Sequence, residues 1–266
     1  MSDWPLAAER VNLQSHLSKV AELSICLFEG ELDILARKTG WGDVRTAMWL
    51  SGYFHDVGKA SRYYKERWEE GGRLSFPYHE YLSAIMLMEL SNTDDDRLMC
   101  IYKTSAKVVA RHHTAMAGRH PSMLYGQLAE VIKKALEGLE VEDVAKVLQG
   151  VGHVGNMAQD IRQRMGDVIR EAKGMEVGEI TGIVEDLAIL NERVEVCGGL
   201  NELLTVRTLT GLLIIADNLA AGVEGRNPED QPVPLYTRYW ARELRPRLKR
   251  CVEIVPGVDR LALWPS

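Results

Sequence analysis

Apolar residues in this chain recur at helical spacing, and no segment sustains the every-second-residue alternation of a half-buried strand. Over residues 6–38, Leu13, Leu17, Val20 and Leu27 mark one stripe, which predicts a long amphipathic helix with a break near Gly30. Gly40-Trp41-Gly42-Asp43 is a turn whose Asp43 can cap a second helix over 44–56. Further helices are expected over 77–90, 97–113, 123–139, 141–148 and 157–173, with a weaker helical segment and a Gly-Gly turn over 176–200. A strongly apolar helix over 201–221 and a basic one over 236–251 complete the set. Residues 65–72 read as a surface loop or a short helix, and 114–122 and 222–234 as Gly/Pro loops. Only residues 251–255 offer a short strand. The expected fold is all-α: a helical bundle over 1–222, with a C-terminal helical extension over 223–266 packed on the same domain.

The 46% hydrophobic fraction is ordinary for a chain that buries a sizeable core. The N-terminus, Met-Ser-Asp-Trp-Pro, lacks the basic and apolar regions of a signal peptide. The most apolar run, 209–221, is too short to span a bilayer and contains Asp217 and Asn218. The four cysteines (Cys26, Cys100, Cys197, Cys251) are far apart and form no Cys-x-x-Cys pair. The expectation is a cytoplasmic protein without a membrane partner, a cysteine zinc site or a disulfide framework. A net charge of −6 does not by itself suggest a nucleic-acid binder. The charge is unevenly spread, however: no Asp or Glu occurs over 97–129, where Arg97, Lys103, Lys107, Arg111 and Arg119 fall. This stretch is either a local basic face or an ordinary solvated helix.

The chemistry centres on Tyr53-Phe54-His55-Asp56-Val57-Gly58-Lys59. An imidazole beside a carboxylate suits hard and borderline divalent metals. Adjacent helical residues point about 100° apart, so both reach one ion only where a helix end meets other helices. Gly58 is expected to let the backbone turn sharply, with Lys59 placing a cation beside the pair. Candidate partners are His16, on or beside the apolar stripe; His79, in the first turn of its helix; His112 and His113; and Asp217. Each has a plain alternative: a core histidine at His16, a helix cap at His79, a helix C-terminus at His112-His113. Asp217 interrupts Leu212-Leu213-Ile214-Ile215-Ala216, and a carboxylate buried there needs a cation, a metal or a hydrogen-bonding group. His79-Glu80-Tyr81-Leu82-Ser83-Ala84 lacks the second histidine of the zinc-protease helix. His120 and His153 fit no such pattern. Tyr63, Tyr64, Trp68 and Tyr78, interleaved with Arg62, Lys65, Arg67 and Arg73, are either core rings or a stacking surface for bases.

Taken in order, Ser15-His16-Leu17, His55-Asp56-Val57-Gly58-Lys59, His79-Glu80-Tyr81-Leu82-Ser83-Ala84, Ala110-Arg111-His112-His113 and Ala216-Asp217-Asn218-Leu219-Ala220 resemble the HD phosphohydrolase superfamily. Within it, they resemble the stand-alone HD nuclease of type I CRISPR interference. The likeness spans residues 15–220. It implies a metal-dependent DNase that cuts single-stranded DNA with a separate CRISPR helicase and an RNA-guided surveillance complex. It also implies a two-metal site, with His16, His55, Asp56 and Asp217 around one ion and His79, His112 and His113 around the other, Asp56 bridging. Such ions, about 3.5–4 Å apart, share a hydroxide and stabilise attacking and leaving oxygens. An imidazole-rich set suits Mn²⁺, Fe²⁺, Co²⁺ or Ni²⁺ better than Mg²⁺. Lys59 would neutralise a phosphate oxygen, and Lys103, Lys107 and Arg111 would form a track for the strand. The motor is expected on another chain, because the span from Gly52 to Lys59 has five residues between its glycines, not the four of a phosphate loop, and Ala60 replaces its Ser or Thr. The alternatives are a nucleotide or cyclic-nucleotide phosphohydrolase, and a catalytically silent regulatory module.

Overall fold

The computed structural model describes residues 4–9, 11–113, 125–151, 156–224 and 235–258. Arg119, His120, His153 and the expected loop over 114–122 lie outside them. Among the described residues the fold is all-α, with twelve helices and one two-stranded hairpin. The helices are α1 (Leu13–Thr39), α2 (Val44–Phe54), α3 (Arg62–Glu69), α4 (His79–Leu90), α5 (Asp96–Val109) and α6 (Tyr125–Glu137). They continue with α7 (Val141–Leu148), α8 (Asn156–Gly174), α9 (Val177–Ala188), α10 (Glu202–Val223), α11 (Leu235–Glu243) and α12 (Arg245–Arg250).

The first helix starts seven residues later than its apolar stripe predicts. Leu6–Ala8 (β1) pairs antiparallel with Val11–Asn12 (β2), Leu6 opposite Asn12 and Ala8 opposite Val11. The Asn12 side chain then accepts the Ser15 N–H at 3.0 Å, satisfying an amide that helix geometry leaves without a partner. The break in α1 falls at Phe28 (φ −116°, ψ 21°), two residues before Gly30 and close to where it is expected. Residues 251–255 form turns, not a strand.

Three helices make the central layer. α1 packs on α2 and α10, and α2 also packs on α5. Leu13, Leu17, Val20 and Ala21 of α1 meet Met48, Leu50, Tyr53 and Phe54 of α2 and Leu209 and Leu213 of α10 in one buried cluster. Each of the Leu, Val, Met and Phe side chains contributes about 1.5–3 kcal/mol of transfer free energy. The approach of α1 to α2 depends on Gly52, since a Cβ there would lie 2.7 Å from the Ala21 Cα. α10 is long and apolar enough to cross a bilayer, but here it packs against α1, α2 and α5. α11 packs on α10 and α12 on α1, and Leu244, Leu248 and Val255 join the same core.

The cysteines correct the expectation drawn from their spacing. Cys26 bonds Cys251 and Cys100 bonds Cys197, across 225 and 97 residues of chain. Spacing along the chain detects local Cys-x-x-Cys motifs, not pairs that helix packing brings together. The cysteine pattern therefore carries no argument for a reducing compartment.

Candidate metal centre

α2 ends at Phe54, and His55 and Asp56 occupy the break between it and a 3₁₀ turn over Val57–Ala60. That is the geometry a neighbouring His-Asp pair needs to face one point. The turn is held by α4: the Gly58 N–H donates to Ser83 Oγ at 2.8 Å, and Ser83 Oγ donates to the His79 carbonyl at 3.1 Å. Gly58 is required for space and not for a left-handed turn. It is not among the glycines with positive φ, yet a Cβ on it would clash with the His79 carbonyl oxygen. Ahead of α4, Tyr78 takes φ 63°, the one positive value at a non-glycine among the described residues. This left-handed residue, costly for a bulky side chain, turns the chain directly before His79.

Seven side chains from five segments meet here. Asp56, His79, His112 and His113 form one group and His16, His55 and Asp217 another, with candidate ligand atoms in each within 4.8 Å of one another. Asp56 stands between them. Its Oδ1 lies 2.6 Å from His79 Nε2 and 3.5 Å from His112 Nε2. Its Oδ2 lies 3.4 Å from His55 Nε2 and 3.7 Å from His16 Nε2. Asp217 Oδ1 faces His16 Nε2 at 3.3 Å and His55 Nε2 at 3.6 Å. His113 Nε2 lies 3.1 Å from His79 Nε2. The Asp217 carboxylate on α10 is only partly buried, lining the cleft, and it meets the imidazoles of His16 and His55.

The opposite ring nitrogens settle the tautomers. His55 Nδ1 is 2.7 Å from the Gly52 carbonyl, His79 Nδ1 2.5 Å from that of Phe76, and His112 Nδ1 2.7 Å from that of Val109. A carbonyl only accepts, so each Nδ1 carries the proton and each Nε2 is left to a lone pair or a second proton. Those Nε2 atoms point at one another and at carboxylate oxygens. His55 Nε2, His112 Nε2 and Asp56 Oδ1 are buried without a hydrogen bond; the 2.6 Å approach of His79 is close but not aligned as one. Ring nitrogens and carboxylate oxygens crowded at these distances call for positive charge between them, supplied by protons or by a cation. The donor set, imidazole nitrogens with carboxylate oxygens, is one that divalent transition metals accept. This cluster could hold a metal ion.

The electrostatics agree. Burial disfavours a charged His55, yet Asp56 and Asp217 push its pKa up to about 10. Burial likewise opposes the Asp56 carboxylate, but His55, Lys59 and His79 hold its pKa well below the usual range. His16 is raised, its burial outweighed by hydrogen bonds with Asp217 and Glu224. His113, buried beside His112 and His79, is pushed down to about 2, so it stays neutral and its lone pair is available. Lys59 Nζ sits 2.6 Å from Asp56 Oδ2 and donates to the Ala7 carbonyl at 3.2 Å, tying the hairpin to the site. A cleft of ≈ 560 Å³ opens over the cluster, bounded by the hairpin, Arg73, Phe76 and Glu224.

The three residues expected to track a strand do not form one surface. Lys103 is exposed. Lys107 is buried, 6% exposed, and its Nζ donates to Glu202 at 2.8 Å. Arg111 donates to the backbone carbonyls of Lys107 and Leu187. Helical periodicity separates Lys103 from Lys107 by only one turn, and the pairing that buries Lys107 comes from α10, 95 residues away. Arg97 is committed to Asp43 at 2.6 Å. Of the aromatic set, Tyr64 is core and bonds the Pro77 carbonyl, while Tyr63 lies under Arg67.

Two site residues escape a reading by motif. Glu224, directly after α10, accepts from His16 Nδ1 at 2.6 Å, and Lys19 holds its other oxygen at 2.7 Å. An acid seven residues beyond Asp217, two helical turns on, falls on the same side of the helix end, and this spacing is the one signal that could have found it. No family model, no curated protein and no solved structure matches the chain.

Proposed function

We propose that the protein is a metal-dependent phosphodiester hydrolase of the HD type. In this reading it cuts single-stranded DNA in CRISPR interference, alongside a separate helicase and an RNA-guided complex. The observation that carries the hydrolase reading is Asp56: each of its oxygens faces a different set of imidazoles whose Nδ1 protons are already committed to acceptors. Two ions are the natural complement of that arrangement, with Mn²⁺, Fe²⁺, Co²⁺ or Ni²⁺ favoured over Mg²⁺ by the nitrogen-rich donors. When bound, such ions supply Lewis acidity and an activated water. The chain's own part is to orient. His16, His55 and Asp217 hold one side of Asp56, and His79, His112 and His113 the other. Lys59 presents an ammonium at the cleft floor, where it balances charge on Asp56 and on a phosphate oxygen. The DNA and CRISPR parts of the proposal rest on the resemblance of the motif words alone.

A nucleotide phosphohydrolase is the second reading. It is favoured by the loss of Lys107 and Arg111 as strand contacts and by a cleft mouth that mixes Glu9 and Glu224 with Arg73. The deciding experiment loads the metal-stripped full chain with Mn²⁺ and offers circular and linear single-stranded DNA beside a panel of nucleotides and cyclic nucleotides. Cutting of DNA supports the first reading. Nucleotide turnover without DNA cutting gives the second, and inactivity on all of them with metal bound would overturn both.

A further inference from the structure

Four histidines of the centre have an assigned outer partner, and one of them differs. His55, His79 and His112 each turn Nδ1 to the backbone carbonyl three residues earlier in their own segment. His16 instead turns Nδ1 to a carboxylate 208 residues away in the chain, Glu224. Its ring is gripped from both sides by carboxylates, one on α10 and one directly after it, since Asp217 Oδ1 lies 3.3 Å from Nε2 and Glu224 Oε2 lies 2.6 Å from Nδ1. Glu224 is itself mostly buried, at 7% side-chain exposure, and is steadied by Lys19, one turn along α1 from His16.

We infer that Glu224 is a positioning residue for His16, fixing its tautomer and strengthening Nε2 as a donor so that one metal subsite depends on it and the other does not. A carboxylate behind an imidazole does this by drawing the Nδ1 proton toward itself, raising electron density at the opposite nitrogen; a backbone carbonyl does so less. Lys19 keeps the carboxylate on the ring when charge in the site changes. The inference rests on the metal-centre reading above.

The test titrates the metal-stripped full chain with Co²⁺, counting bound ions by absorption and equilibrium dialysis. Wild type should take up two. Glu224→Gln, which preserves shape and an acceptor oxygen, should weaken one ion roughly tenfold to a hundredfold and leave the other unchanged. His16→Ala should weaken the same ion, and adding Glu224→Gln to it should cost nothing further, because the two act through one ring. A purely structural Glu224 would weaken both ions or add to His16→Ala. Either result, or unchanged binding of two ions by Glu224→Gln, overturns the inference while sparing the metal centre. A wild-type chain that binds no Co²⁺ would overturn the metal-centre reading, and the inference with it.

Discussion

Lys107 is the basic residue whose role changes most once the helices are packed, and its removal has a calculable cost. Lys107 and Glu202 are 6% and 5% exposed, with Nζ and Oε1 2.8 Å apart, and Glu202 Oε2 also takes the Asn191 N–H at 2.7 Å. Lys107→Met leaves a buried carboxylate with one neutral donor, and breaking such a pair costs about 3–5 kcal/mol. At an unfolding entropy of about 2.1 cal/mol/K per residue, a chain of 266 residues has roughly 0.56 kcal/mol/K, so the midpoint should fall by about 5–9 °C. Adding Glu202→Gln removes the stranded charge and keeps an acceptor for Asn191, so the double variant should recover to within about 1–2 kcal/mol of wild type. Thermal melts followed by circular dichroism at neutral pH measure both. A single variant that melts with wild type would refute the buried pair. A double variant that loses more than Lys107→Met alone would refute the account of its cost. The same pair ties α5, which leads into His112 and His113, to α10, which carries Asp217.

Gly58→Ala should lower stability by about 1–3 kcal/mol and disturb the centre, because the new methyl meets the His79 carbonyl; unchanged melting and unchanged metal uptake would contradict that reading. Asp217→Asn should weaken uptake at the His16–His55 subsite while keeping the helical signal, and an unfolded variant would make Asp217 principally structural. Asp143 bears on pH. Its burial is outweighed by Arg62 at 2.8 Å and Lys146 at 3.1 Å, which hold its pKa below the ordinary carboxylate value. A lowered folded pKa contributes stability above the unfolded value, near 3.9, and loses it as pH falls through the folded one. Asp143→Asn should therefore cost up to about 1 kcal/mol near pH 7, the partners being half exposed, and the difference from wild type should shrink as pH falls below about 4. A constant difference across that range would show that charge is not the cause.

Much of the centre was legible in the sequence because its residue types are chemically conspicuous. His16, His55, Asp56, His79, His112, His113 and Asp217 are all brought together, and Asp217 was flagged by its cost in an apolar helix. Helical period also located helices that bury one stripe, such as α1, whereas α2 and α4, buried nearly all round, read as short apolar runs between turn signals. What escaped the sequence depends on distant packing or on backbone start signals. Glu224 reads as an unremarked acid at a helix end until α1 lies beside α10. Lys107 reads as a solvated base until Glu202 arrives across the core. Leu6–Ala8 carries the same apolar pattern as the helix after it, and the Asn12 cap decides where that helix begins. The cysteine pairs join elements that no local spacing links.

The central claim, that Asp56 divides two metal subsites, is most directly tested by anomalous diffraction from crystals of the full chain equilibrated with Mn²⁺. The account predicts two peaks, one on each side of the Asp56 carboxylate, the first against His16, His55 and Asp217 and the second against His79, His112 and His113, both lost in Asp56→Ala. No peak in the cluster, or two peaks that persist without the Asp56 carboxylate, would contradict it.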